Sequence, residues 1–290
     1  MTAEFQGRWY EKKLEVAAPI EAVWDAVSQG AELERWLCEH AEGGEGVGAE
    51  QAIDWGGGMV GKSKITAWDP PRHLRTEAIG YDPGAMAGGE PTNIPYAWDW
   101  FLEHEGGVTK VRLVASGFGE GPGWDGEYDG TYHGWDMLLA NMRHYLEHHR
   151  GKPVSSLLFM AALDSDLPTA WGKLMGPEGL LKEGSTAGLE KGKRFRFVTS
   201  QGDVLEGTVT SFVDGRNLSA VVETLDQSLL NIEFCGMGDN QFLFFTIKTW
   251  GMDEGQTQGL RDRYGAIINT LFPQPAMPAG DCVLDGAAAA

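Results

Sequence analysis

Tryptophan is concentrated in the first half of the chain, where nine of the eleven tryptophans lie. Four of them, Trp55, Trp68, Trp98 and Trp100, fall on predicted strands. Trp98 and Trp100 share one face, because alternate residues of a strand point the same way. Large rings on one face of a sheet line pockets for flat apolar molecules, and they also form ordinary cores. Both interpretations are open at this point.

A helix pattern follows these strands and could supply the opposite wall of a pocket. Apolar residues recur at helical spacing over residues 131–149, which predicts one amphipathic helix there. Its apolar face would lie against the aromatic strands, with a flexible methionine as an adaptable part of the wall. The predicted cavity residues are Trp55, Trp68, Trp98, Trp100, Trp135, Leu138 and Met142.

Histidine is the next residue type that could do chemistry, and all seven histidines lie in the first half. His144 and His148 are four residues apart on the predicted helix, with His149 beside them, so two of them could share a metal ion. The spacing offers no third ligand, and imidazoles are favoured at the negative end of a helix. We therefore predict a helix terminus and no metal site.

Carboxylates are frequent between residues 118 and 130, a glycine-rich stretch that we predict to be a solvated loop. Their spacing does not match the alternating oxygen ligands and closing Glu of a hand-type calcium loop. The four carboxylates concerned are Glu120, Asp125, Glu127 and Asp129.

Two common signatures of catalysis are missing from the sequence, which contains no HExxH and no Ser-His-Asp order. Asp99, between Trp98 and Trp100, should point away from both rings and meet solvent. Cys38 stands near His40, but nothing supplies a third catalytic group, so we predict that Cys38 packs in the core. We assign no catalytic residue and no cofactor.

The charge excludes several classes of partner. The 290 residues carry a formal charge of -19, with 25 acids and 13 bases in residues 1–152 and 17 and 10 in the rest. Such a chain repels a phosphate backbone or an anionic membrane, so we predict neither nucleic-acid nor membrane binding. Three distant cysteines do not describe a disulfide scaffold, and no basic and apolar leader opens the sequence, so we predict a cytoplasmic protein.

The elements that would position these residues follow one order twice. A strand, short helices, several antiparallel strands and a long closing helix predict an α+β fold, in which a curved sheet wraps round the closing helix. We predict one domain over residues 1–150, a second over 154–272 and a disordered tail over 273–290. Residues 81–95, rich in Pro and Gly, are predicted to form a long loop that we call the flap.

Short sequence motifs in the first half resemble the SRPBCC superfamily of START-like, helix-grip proteins. They are more closely similar to its bacterial branch named after the C-terminal domain of the activator of heat-shock protein 90 ATPase. The resemblance covers roughly residues 8–149. The motifs are Ala18-Pro19-Ile20-Glu21-Ala22-Val23-Trp24, Leu33 to Trp36, Trp68-Asp69-Pro70-Pro71-Arg72-His73-Leu74 and Gly134-Trp135.

The second half resembles the same superfamily more loosely, through Leu167 to Trp171 and Val209 to Leu218, with no Gly-Trp before its closing helix. The resemblance implies a helix-grip domain in each half, with an apolar ligand pocket or a protein-binding role and no assigned catalytic residues. Our leading hypothesis is a non-enzymatic protein that binds a small apolar or aromatic molecule. The alternatives are a chaperone-regulating or other protein-interaction module and a cyclase- or lyase-type enzyme, which would need a buried titratable group in its pocket.

Overall fold

The computed structural model describes residues 5–87, 89, 91–237 and 240–273. The chain divides into two compact units, unit 1 within residues 1–150 and unit 2 from Gly151 onward. Each unit contains one seven-stranded antiparallel sheet with helices, so the predicted α+β class of two helix-grip domains is confirmed. Apart from Pro273, the predicted tail lies outside the described residues.

Unit 1 forms a sheet in the order β1-β7-β6-β5-β4-β3-β2. A five-residue π-helical turn, Tyr145–His149, continues its last helix. The elements are β1 (Arg8–Val16), α1 (Ile20–Ser28), α2 (Gly30–Leu33), β2 (His40–Gly43), β3 (Glu50–Asp54), β4 (Val60–Asp69), β5 (His73–Ala78), α3 (Pro83–Met86), β6 (Ala97–Glu105), β7 (Val108–Phe118) and α4 (Pro122–His144).

The strand register places the large side chains of unit 1 on one face of the sheet. Trp100 pairs with Leu74 on one side and Leu113 on the other, and Leu113 also pairs with Lys12 of β1. Because paired residues share a face, these positions form the inner face that α4 covers. The inner face contributes buried apolar residues from five strands: Tyr10, Val16, Ile65, Leu74, Trp100, Leu102, Val111 and Leu113.

Helix α4 begins nine residues earlier than predicted, at Pro122, so most of the predicted loop over 118–130 is helical. Pro122 suits a first helical position. Trp124 and Tyr128, four residues apart, pack on the aromatic rings of the sheet. Glycines within this part of α4 cost roughly 1 kcal/mol each in helix propensity, and the aromatic packing offsets that cost.

The flap contains the short helix α3, which packs against the start of α4. Asp82 caps α3 by accepting a hydrogen bond from the backbone N–H of Ala85 at 3.1 Å, and it accepts another from Thr92 at 2.7 Å. A Cβ added to Gly123 would lie 2.2 Å from the carbonyl oxygen of Pro83. Asp82 therefore connects α3 to the later part of the flap through these two hydrogen bonds. Helix α3 packs on α4 at Gly123, where the absence of a side chain leaves room for the backbone of Pro83.

Unit 2 forms a sheet in the order β8-β14-β13-β12-β11-β10-β9, around a core of aliphatic and phenylalanine side chains. Its closing helix begins at Glu254, where the N-cap Asp253 forms a capping box with Gln256. The elements are β8 (Val154–Leu163), α5 (Leu167–Met175), β9 (Leu181–Glu183), β10 (Arg194–Thr199), β11 (Val204–Val213), β12 (Asn217–Val222), β13 (Ser228–Met237), β14 (Asn240–Trp250) and α6 (Glu254–Leu271).

Candidate functional site

Three tryptophans fill the middle of unit 1 between the sheet and α4. Trp100 packs edge to face on Trp36, with ring centroids 6.3 Å apart, and on Trp135 of α4 at 5.4 Å. All three rings are buried, and so is Met142, about two turns further along α4. The structure thus brings three of the predicted cavity residues to one place, where they pack as a core.

The other four predicted cavity residues lie in four separate environments. Trp68 contacts Trp24 of α1, with ring centroids 5.0 Å apart, and Leu138 is partly buried on α4. Trp55 lies at the turn after β3, where its backbone N–H donates to the carbonyl of Met59. Trp98 belongs to a second aromatic group, near the first turns of α4.

Tyr96 is the centre of this second group. Its ring centroid lies 4.5 Å from that of Trp98, 4.9 Å from Phe118 and 5.3 Å from Trp124. These rings come from β6, β7 and α4 and meet at the end of the sheet beside the flap. We call the group the upper aromatic group; its members are Tyr10, Tyr96, Trp98, Phe118, Trp124 and Tyr128.

A carboxylate lies beside the upper aromatic group, between two phenols. The Tyr96 hydroxyl donates to Oε1 of Glu127 at 2.8 Å, and the Tyr81 hydroxyl donates to Oε2 at 2.8 Å. Tyr81 belongs to the flap, Tyr96 precedes β6 and Glu127 lies on α4. These three residues, which we call the acid–phenol cluster, therefore join three elements at the mouth of the helix grip.

Burial dominates the electrostatics of this cluster. It raises the pKa of Glu127, and the hydrogen bonds from the two phenols oppose that shift without cancelling it. Burial also raises the pKa values of Tyr81 and Tyr96, so both phenols stay protonated and donate. No cation of the described residues is among the groups that shift the pKa of Glu127.

Two cationic side chains of β1 form ion pairs with carboxylates of α4. Arg8 forms an ion pair with Asp125 at 2.7 Å and lies over the Tyr128 ring, 5.3 Å from its centroid. Lys12, only 9% exposed, pairs with Asp136 at 2.8 Å, and its Nζ lies 3.4 Å from the centroid of the Tyr132 ring. Between these two cations, β1 presents the phenol of Tyr10.

The sequence analysis missed Glu127, because it placed the residue in a solvated loop. The helical spacing of Trp124, Tyr128, Thr131 and Trp135 continues the α4 pattern upstream and could have revealed the inward face. The other carboxylates of this stretch do not converge with Glu127: Asp125 pairs with Arg8, and Glu120 and Asp129 are exposed.

The prediction that Asp99 meets solvent was wrong. Asp99 is 2% exposed, with His73 Nε2 2.7 Å from its Oδ1 and Arg75 donating to its Oδ2. It does point away from the inner face, because it pairs in register with Arg75 while Trp98 and Trp100 line the other side. The ion pair with Arg75 and the hydrogen bond with His73 make the burial of Asp99 tolerable.

The histidines at the end of α4 pack together in the π-helical turn. His144 and His149 are buried with their Nε2 atoms 3.2 Å apart, and His148 is exposed. Among the described residues, no group of three or more His, Cys, Asp or Glu has an arrangement that could hold a metal ion. Cys38 is buried after α2, which agrees with its predicted packing role.

Two surface pockets flank the flap. One, of about 440 Å³, is bordered by Arg8, Phe118, Trp124 and part of the flap. The other, of about 500 Å³, is bordered by both phenols of the acid–phenol cluster. The cluster is therefore adjacent to open space on the flap side of the domain.

Similarity to known proteins agrees with this architecture. Residues 17–147 match the family described as Activator of Hsp90 ATPase homolog 1-like protein. No curated protein sequence matches the chain. Among the helices of the described residues, none combines the length and apolar character needed to cross a bilayer.

Solved structures that are similar to the chain include single-domain and two-domain proteins. The Aha1 dimer of Colwellia psychrerythraea is 18% identical over 50% of this chain and 100% of its own, with a TM-score of 0.42. The di-domain ARO/CYC protein BexL of the BE-7585A biosynthetic pathway is 13% identical over 91% and 97%, with a TM-score of 0.41. DynU16, from the dynemicin biosynthetic locus, is 19% identical over 91% and 96%, with a TM-score of 0.40.

The family match covers most of unit 1, including α1, β2 to β7 and all of α4, and it begins just after β1. In these residues, unit 1 is similar to the Activator of Hsp90 ATPase homolog 1-like family.

Proposed function

We propose that unit 1 binds a small apolar or aromatic molecule between its sheet and α4, beneath the flap, without transforming it. The observation that carries this proposal is the upper aromatic group, of which Tyr96 borders a pocket of about 500 Å³ and Phe118 and Trp124 border one of about 440 Å³. Aromatic side chains with a few polar groups are the usual lining of small-molecule sites. The acidic charge and the cysteine pattern lead us to propose a cytoplasmic location and no nucleic-acid or membrane partner.

The predicted cavity residues take different parts in this proposal. Trp98, with Tyr96, would form the wall that touches the ligand. Trp100, Trp135 and Met142 would form the buried floor beneath it, and the partly buried Leu138 of α4 would add to that floor. Trp55 and Trp68 lie elsewhere in the unit and would act on the ligand only indirectly.

The test is titration with a neutral fluorescent probe, N-phenyl-1-naphthylamine, followed by probe emission and by quenching of tryptophan. We expect saturable binding that Trp98→Ala and Met142→Ala weaken. Trp9→Phe is the matched control, because Trp9 is 46% exposed and lies outside the upper aromatic group. If neither this probe nor other neutral aromatic probes bind saturably, the proposal is wrong.

A cyclase- or lyase-type enzyme is the second candidate, and Glu127 is the observation that favours it. Such an enzyme needs a buried titratable group, and a carboxyl with a raised pKa is suited to proton transfer. Once a ligand is found, mass spectrometry after incubation with the protein decides between the candidates. Product that forms with the wild type and not with Glu127→Gln would support the enzyme.

A protein-interaction role is suggested by the family description, which names an activator of the Hsp90 ATPase. A pull-down with the host chaperone and an assay of its ATPase rate test this role. Binding together with a change in rate would support it, and the absence of both would remove it.

A further inference from the structure

We propose that the acid–phenol cluster recognises a protonated amine carried by the aromatic or apolar ligand of unit 1. The inference rests on the proposed function and names the head group of that ligand. It follows from the arrangement of charges along β1 and α4, from the rings round Glu127 and from the charge of the unit.

Two of the four carboxylates of α4 are matched to cations of β1. Asp125 pairs with Arg8, and Asp136 pairs with Lys12. On the same face of β1, the residue between these cations is Tyr10, which carries no charge. The third carboxylate, Asp129, is exposed to solvent, whereas Glu127 is partly buried and has phenols where Asp125 and Asp136 have cations.

An ammonium group beside Glu127 would form a third ion pair. A buried carboxylate without a counter-charge costs free energy, which a cation beside it would recover. A carboxylate accepts up to about four hydrogen bonds, and two protein donors are described for Glu127, so acceptor capacity is left for a ligand N–H.

The rings near Glu127 suit a cation as well as an aromatic body. Tyr96, Trp98 and Trp124 lie within one group, and cations are attracted to the faces of such rings. The same helix already holds two protein cations on tyrosine faces, Arg8 on Tyr128 and Lys12 on Tyr132. A ligand ammonium beside Glu127 would form a further contact of this kind, between a cation and the face of an aromatic ring.

The access to Glu127 and the negative electrostatic potential of unit 1 also favour a cation. Tyr81 is 42% exposed, so moving this one flap side chain opens the path to Oε2 of Glu127. Glu77 and Asp82 border the same pocket as Tyr81 and Tyr96. With 25 acids and 13 bases in residues 1–152, the unit raises the local concentration of cations.

The experiment compares two ligands of the same shape, 2-naphthylmethylamine and 2-naphthylmethanol, by calorimetry on the full-length protein. We expect the amine to bind at least about tenfold more tightly, which is about 1.4 kcal/mol. Glu127→Gln should remove this preference, because it weakens binding of the amine much more than binding of the alcohol. Glu120→Gln and Asp129→Asn are matched controls, because both carboxylates are exposed and flank Glu127 in sequence.

The pH profile of the wild type gives a second readout that needs no variant at Glu127. Between about pH 5 and pH 8 the amine stays protonated, so its affinity should rise as Glu127 ionises, while the affinity of the alcohol stays flat. Tyr10, Tyr81 and Tyr96 face Glu127 and remain protonated in this range. Asp125 and Asp136 keep their own cationic partners.

The outcomes separate this inference from the proposed function. Equal binding of amine and alcohol, or tighter binding of the alcohol, overturns amine recognition and leaves the proposed ligand site standing. An amine preference that survives Glu127→Gln, with a flat pH profile, also overturns it. If neither compound nor the neutral probe binds, the proposed function itself fails.

Discussion

Asp99 is a buried carboxylate of unit 1 and Glu127 is a partly buried one, and they differ in what surrounds them. Asp99 lies between Arg75 and His73, whereas Glu127 lies between two phenols. A buried carboxylate paired with a guanidinium is a structural ion pair, whose removal leaves a charge behind. A partly buried carboxylate between neutral donors is poised to change its protonation or to accept a charged partner.

Asp99→Ala should therefore lower the free energy of unfolding by about 2 to 4 kcal/mol, because it leaves Arg75 without its buried partner. Solvent reaches Arg75, which is 24% exposed, and this moderates the loss. Urea denaturation followed by circular dichroism measures it. Glu105→Gln, which breaks the exposed pair with Lys110, should leave stability unchanged. Equal effects of both substitutions would contradict the structural role of Asp99.

Glu127 should make stability fall as the pH rises. Its folded pKa lies above its ordinary value of 4.5, so the folded state binds more protons than the unfolded state between the two pKa values. Stability is then lost progressively as the pH rises from about 4.5 through the raised pKa. Glu127→Gln should remove this part of the pH dependence, as measured by urea denaturation across that range. The prediction would be contradicted if the difference in free energy of unfolding between the wild type and Glu127→Gln did not change with pH.

The flap and α4 approach each other closely at glycine positions. A Cβ added to Gly84 would lie 2.7 Å from the Trp124 ring, and one added to Gly123 would meet the backbone of Pro83. Backbone cannot yield as a flexible side chain can. The close approach of α3 to α4 thus depends on side-chain-free positions, as well as on the Tyr81 to Glu127 hydrogen bond.

Gly123→Ala should displace α3 and expose the flap, which limited proteolysis followed by mass spectrometry would detect as faster cleavage within residues 81–95. Gly126→Ala is the matched control on the same helix, because open space surrounds that position. There the alanine should raise the free energy of unfolding by about 0.5 to 1 kcal/mol through helix propensity. If Gly123→Ala is as stabilising as Gly126→Ala, the flap does not depend on this contact.

The net charge of the whole molecule limits the kinds of partner that it can bind. A formal charge of -19 repels polyanions, so we expect no shift of duplex DNA and no cosedimentation with anionic vesicles at physiological salt. Electrophoretic mobility shift and vesicle sedimentation measure this, with a basic DNA-binding protein as the positive control. Binding of either polyanion would mean that a local basic surface overrides the net charge.

The predicted domain boundaries, 1–150 and 154–272, stay a prediction about independent folding. We expect mild proteolysis of the full chain to cut near residues 151–153 and to yield two fragments that each resist further digestion. The first fragment would contain nine of the eleven tryptophans, so its strong absorbance at the tryptophan band identifies it. Rapid loss of either fragment would show that its core needs the rest of the chain.

The sequence by itself determined the α+β class, the repeated order of elements and the strand positions of Trp68, Trp98 and Trp100, because hydrophobic period and turn residues act locally. It also determined that Trp100, Trp135 and Met142 face inward. Only the tertiary structure decided that α4 begins at Pro122, since packing of Trp124 and Tyr128 overrides the helix-breaking tendency of glycine. It alone placed Glu127 between Tyr81 and Tyr96, which are 46 and 31 residues away in the chain. No local pattern encodes such distant contacts, because they depend on how the flap, the sheet and α4 pack together.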